Sequence, residues 1–193
     1  MQKSEISGPF RFAPLTADAW PDLERLFGER GAGGGCWCMS WRLPKAKFER
    51  QKGTANKAAL RRIVGEGPPP GILAWSGSEP IGWCAVAPRE SYVRLAKSRV
   101  LRPVDNQPVW SISCMFVRKD FRRRGVSAQL LQAAAKLAAA HGATIVEGYP
   151  VAPYSPNAPA AFLWTGTIAS FEAAGFVEVK RGSPSRPIFR RNV

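Results

Sequence analysis

Apolar positions along the chain recur with two periods. Residues 10–14, Phe-Arg-Phe-Ala-Pro, alternate as a half-buried strand does, and over 17–30 Trp20, Leu23, Leu26 and Phe27 fall three and four apart. That second spacing predicts a helix with one apolar face, ended by the run Gly31-Ala-Gly-Gly-Gly35. Residues 46–64 read as helical with an interruption near Gly53, and the Gly- and Pro-rich stretch 65–71 forbids regular structure. Residues 71–75 and 81–86 then predict a hairpin around Ser76-Gly-Ser-Glu79.

Residues 88–108 form a basic connection with one short helical turn around 92–96. Residues 109–117, Val-Trp-Ser-Ile-Ser-Cys-Met-Phe-Val, carry no charge and predict a strand buried on both faces. Val126, Leu130, Ala134 and Leu137 make a helical stripe that His141-Gly142 stops. A further strand at 144–151, a proline-rich excursion at 152–161, a helix at 166–174 and two terminal strands complete the chain. No internal repeat is present, and 193 residues suit one domain, 1–193, with a single full core. The expected class is α/β (α+β).

Chemistry concentrates where the uncharged strand meets the glycine loop. Strand, basic glycine turn and helix in series build a cradle for pyrophosphate. Gly125 lets backbone N–H groups approach phosphate oxygens, Ser127 can cap the helix, and the helix dipole favours negative charge there. The loop Arg122-Arg-Arg-Gly-Val-Ser127 resembles the Arg/Gln-x-x-Gly-x-Gly/Ala signature of the GNAT N-acetyltransferase superfamily, in its bacterial-type form, with Ser127 in the last small position. Phe171-Glu-Ala-Ala-Gly-Phe176 resembles the family's second landmark, an aromatic residue four positions before Gly-Phe.

The resemblance spans nearly all of the chain. It implies a mixed, mostly antiparallel central sheet of six to seven strands flanked by helices and splayed between the fourth and fifth strands. It further implies acetyl-CoA as cosubstrate and direct acetyl transfer to an amine. On that basis the backbone of Met115, Phe116 and Val117 pairs with the pantetheine arm, and Arg122, Arg123, Arg124, Gly125, Val126, Ser127 and Ala128 hold the pyrophosphate. Arg123 and Arg124 contribute backbone more than side chain.

The remaining roles are read from residue chemistry. An attacking amine must lose a proton, yet 109–117 contains no acid, which makes Glu147 on the adjoining strand the candidate base. A structural ion pair with a neighbouring arginine is its other role, and water relayed by Ser111 or Ser113 is the rival. Phe171 stands where the family often has Tyr, so Tyr149 or Tyr154 is left as candidate acid, or none is needed for a thiolate leaving group. Trp37 and Trp41, after the Gly-rich run, are expected in the acceptor wall with 152–161, with burial as core plugs the alternative for either.

A net charge of +14 changes the choice of partners rather than the fold. One basic group surrounds the glycine loop and suits a nucleotide cofactor. A second, Lys180, Arg181, Arg186, Arg190 and Arg191, does not obviously need one. A small amine is the first acceptor expected. An aminoacyl-tRNA or protein amine, or a non-catalytic CoA- or RNA-binding module, are the alternatives, and a homodimer is left open. The chain shows no secretory leader or membrane span and is expected in the cytoplasm. Cys84 and Cys114 lie in apolar strands as reduced thiols, and the Cys36-Trp-Cys38 spacing does not suit zinc, so no metal is expected.

Overall fold

The computed structural model describes residues 5–7, 9–152, 159 and 162–193. One eight-stranded sheet runs in the order β1-β2-β3-β4-β5-β6-β8-β7. Its strands are β1 (Glu5–Ser7), β2 (Phe10–Pro14), β3 (Gly71–Ser76), β4 (Glu79–Pro88), β5 (Trp110–Val117), β6 (Ile145–Gly148), β7 (Val177–Arg181) and β8 (Pro187–Asn192). All neighbours are antiparallel except β5 and β6. The mixed sheet expected from the sequence is present, with β1 as an additional edge strand. Three residues are too few to show a period, which is why β1 was not legible.

Helices α1 (Trp20–Phe27), α2 (Lys45–Arg50) and α3 (Thr54–Glu66) follow β2, α4 (Val93–Ala96) follows β4, α5 (Val126–Ala140) joins β5 to β6, and α6 (Ile168–Ala173) precedes β7. The predicted break at Gly53 separates α2 from α3. Helix α1 buries Trp20, Leu23, Leu26 and Phe27, the stripe seen in the sequence.

Two cores sandwich the sheet. On one face Val126, Leu130, Leu131 and Ala134 of α5 pack on Ile72, Ala74, Ile112 and Met115, with Phe171 and Phe176 closing the end. On the other, Trp20, Leu23, Leu26 and Phe27 of α1 and Leu60 and Val64 of α3 pack on Leu73, Trp75 and Trp83. No helix among the described residues is long and apolar enough to cross a membrane.

Candidate functional site

The site begins where β5 loses a neighbour. Strand β6 pairs with β5 only through Trp110, Ser111 and Ile112, opposite Val146, Glu147 and Gly148. On the β4 side Ala85 opposes Cys114 and Val86 opposes Ile112, so Ser113 is an extra residue that bulges the strand. Past the bulge Met115 faces the α5 core while Cys114 faces the α1 core. A ring keeps the two strands apart: Phe171 is fully buried against Gly148, where an added Cβ would lie 2.1 Å from its Cε1. The opened edge is partly occupied by the chain itself. Met115 N–H donates to the Trp164 carbonyl at 2.7 Å, and Arg122 Nε donates to the Val117 carbonyl at 3.0 Å.

The glycine loop then turns through two left-handed residues, Arg123 (φ 59) and Gly125 (φ 76). Gly125 occupies the N-cap of α5 with no side-chain cap, so the cap expected of Ser127 falls two residues earlier, on backbone alone. Gln129 N–H makes the bond to the Gly125 carbonyl at 3.2 Å. The N–H groups of Val126, Ser127 and Ala128, at the start of the helix, have no helical acceptor, and the dipole of the 15-residue helix adds positive potential there. A Cβ on Gly125 would meet nothing nearer than Gln129 Nε2 at 3.7 Å, so the space above the loop is open. Beside it Gln129 Oε1 is buried with no hydrogen-bond partner among the described residues. The free N–H groups, the helix dipole and the open space fit an anionic diphosphate. Arg123 and Arg124 are exposed, Arg124 lying over the Phe121 ring at 5.3 Å.

A cavity of about 720 Å³ runs from this loop along β5 into the molecule. Arg122 and Ser127 line one end, and Met115, Phe116 and Val117 the middle. Cys36, Cys38, Ser40, Phe48 and Lys52 line the far wall, with Trp164, Gly166 and Thr167 opposite. No carboxylate of the described residues lines it. Lys52 is ion-paired with Glu49 on the surface at 2.5 Å.

Glu147 lies outside this cavity. It is fully buried, with Oε1 receiving Arg89 Nη1 at 2.6 Å and the Tyr149 hydroxyl at 2.7 Å, and Oε2 receiving Arg190 Nε at 2.9 Å. Arg190 continues to Asp105 at 2.6 Å, which pulls that carboxyl down to about 2. Tyr149 is fully buried and bonded to Ser111 Oγ at 2.8 Å; burial, then the Glu147 charge, push its hydroxyl well above the usual phenol range. Glu147, Tyr149 and Ser111 are thus one network where β5 and β6 pair. Tyr154 lies outside the described residues.

Of the two tryptophans expected in the acceptor wall, Trp37 is in the core. It is 3% exposed, with its ring 6.0 Å from Trp20 and 5.4 Å from Phe27. Trp41 is half-buried one ring behind the cavity, 6.0 Å from Trp164. Sequence reasoning missed Trp164, Phe48 and the thiols of Cys36 and Cys38. Trp164 falls in an irregular segment with no periodicity. The Cys36-Trp-Cys38 spacing does not by itself place either thiol in a cavity, and among the described residues no group of His, Cys, Asp and Glu is arranged to hold a metal.

The profile of the Acetyltransferase (GNAT) family matches residues 37–165, more than half of the chain. The chain belongs to the GNAT acetyltransferase family. No relative among curated proteins matches its sequence. Among solved structures, this acetyltransferase is similar to PaiA N-acetyltransferase from Thermoplasma acidophilum in complex with coenzyme A, with TM-score 0.53 and 12% identity over 95% of this chain and 99% of that one. It is also similar to the ribosomal-protein-S5-alanine acetyltransferase of Vibrio fischeri, with TM-score 0.53 and 8% identity over 99% and 97%. A chain of the NatC complex bound to Gag peptide and CoA matches with TM-score 0.55 and 13% identity over 96% and 99%. At these identities the likeness is one of fold.

Proposed function

We propose that this acetyltransferase binds acetyl-CoA across β5 and the 122–128 loop and transfers the acetyl group directly to a primary amine of a small molecule. The observation that carries the reading is the continuity of one cavity from Arg122 and Ser127, past Met115 and Val117, to the chamber bounded by Cys38, Ser40, Phe48 and Trp164. Its volume, about 720 Å³, is in the range that encloses a small ligand rather than a folded partner.

Each residue then has a physical task. The N–H groups of Val126, Ser127 and Ala128 and the Arg122 guanidinium bind the phosphates. The Met115 N–H and the Val117 carbonyl form a free strand edge for an amide-bearing arm once the Trp164 carbonyl and the Arg122 side chain release them. Acetyl-CoA supplies a thioester whose sulfur departs as a thiolate. Phe48 and Trp164 offer the acceptor apolar contact. Glu147 is already committed to two arginines, so its task is to hold the β5–β6 edge. The amine proton leaves through water beside Ser40, whose Oγ accepts from Arg94 Nη1 at 2.9 Å. Thiolates are good enough leaving groups near neutral pH that no tyrosine acid is required in this scheme.

Thiol release from acetyl-CoA should be followed against small amines, amino acids, peptides and charged tRNA at low and high salt, with products identified by mass spectrometry. The reading expects an acetylated small amine and, at saturating acetyl-CoA, a rate nearly independent of salt. Turnover confined to peptides or tRNA and falling steeply with salt would replace it with a macromolecular acceptor.

A further inference from the structure

We propose that Cys38 and Cys114 are a site of reversible oxidation, closing to a disulfide in the cavity wall when the protein meets a hydroperoxide. The proposal stands independently of the acceptor. Cys38 belongs to the loop after α1 and Cys114 to β5, 76 positions apart, yet their sulfurs lie 3.1 Å from each other. All four cysteines are free thiols in this structure. A disulfide needs about 2.05 Å between sulfurs, so closure asks for a movement of about 1 Å.

Access and charge favour this pair. Both thiols line the cavity, so an oxidant little larger than water can reach sulfurs that are otherwise buried. Trp83 Nε1 donates to Cys38 Sγ at 3.2 Å, which holds that sulfur in place beside Cys114 Sγ. The Cys114 thiol is held well above the usual range, first by its hydrogen bond with Cys38 and then by burial, so it keeps its proton. Trp37 and Cys38 both have left-handed backbone, φ 46 and 53, which side chains other than glycine seldom adopt. Two further thiols bound the choice. Cys36 shares the cavity but is pushed up to about 11 by burial and by Cys38. Cys84 is fully buried away from the cavity.

The Cys38 thiolate attacks the peroxide O–O bond, forming a sulfenic acid, while the other oxygen takes a proton and leaves as alcohol or water. The Cys114 thiol then attacks the sulfenic sulfur, its proton leaves with the hydroxyl as water, and the S–S bond forms. Two thiols have lost two electrons and two protons, and one hydroperoxide has been reduced. The product ties the acceptor wall to β5 one residue before Met115.

The full-length protein, treated with equimolar hydrogen peroxide, alkylated and digested, decides the matter. Two of the four thiols should disappear, a peptide crosslinked through Cys38 and Cys114 should appear, and dithiothreitol should restore both. The melting temperature should rise on oxidation and return on reduction, because a bond across 76 residues restricts the unfolded chain. Cys84→Ser should still form the crosslink, and Cys114→Ser should leave a sulfenic acid on Cys38 that dimedone traps. Four unreacted thiols, oxidation confined to Cys36, or a crosslink through Cys36 would each overturn the proposal.

Discussion

Among the described residues Glu147 is the one fully buried carboxylate. Its carboxylate is fully buried and shared by Arg89 and Arg190, which are only 14% and 10% exposed. Removing one partner from such a buried set costs about 3–5 kcal/mol, because the others keep their charge without water. Glu147→Gln should therefore lower the melting temperature sharply, while kcat per folded molecule stays within a few-fold of the parent. A general base would show the reverse, with stability nearly kept and kcat lower by about 10²–10⁴. Asp105 makes a second prediction with a definite sign. Its folded pKa, about 2, lies below the value near 3.9 of an unfolded aspartate, so its stabilisation is complete above about pH 5 and fades as pH falls toward 2. The melting-temperature gap between parent and Asp105→Asn should narrow steadily below about pH 4. The position of Glu147 on the strand beside 109–117 was legible in the sequence. Its partners were not, since Arg89 and Arg190 come from positions 58 before and 43 after it, and only the sheet order brings them together.

At the scale of elements, what could be read was what is local. The β5 strand, the glycine loop and α5 are contiguous and each has its own period or breaker, so their order and bounds follow from 109–141. The break at Gly53 and the hairpin of β3 and β4 follow in the same way. The bulge at Ser113 and the contact of Trp164 with Met115 depend on pairing across the sheet, and no local pattern records them. Two such long-range contacts lead to measurements. Phe171 wedges against Gly148 so closely that Gly148→Ala should overpack the site and lower stability by about 1–3 kcal/mol, seen in denaturant melts. If the Trp164 carbonyl gives up the Met115 N–H to a bound arm, CoA should change the tryptophan emission of the parent and leave that of Trp164→Phe nearly unchanged. Equal changes in both proteins would show that the segment stays in place.

For the molecule as a whole, the charge of +14 is distributed in a way that composition did not reveal. Much of the C-terminal basic group is spent internally. Arg190 binds Glu147 and Asp105, Arg181 binds Glu178, Arg191 donates to the Ala174 carbonyl and Lys180 to that of Pro103. Exposed Arg123 and Arg124 flank the cavity end instead, where an anionic cosubstrate would sit. Acetyl-CoA affinity should accordingly weaken with salt while the acceptor KM of a small amine stays nearly constant. The central claim is that the loop around Gly125 holds the phosphates of acetyl-CoA, and calorimetric titration of Gly125→Asp with CoA tests it most directly. The substitution sets a carboxylate in the space above the helix N-terminus, at a φ of 76 that aspartate tolerates better than most residues. With the fold verified by circular dichroism, the account predicts loss of measurable CoA binding. Parent-like affinity in the folded variant would contradict it.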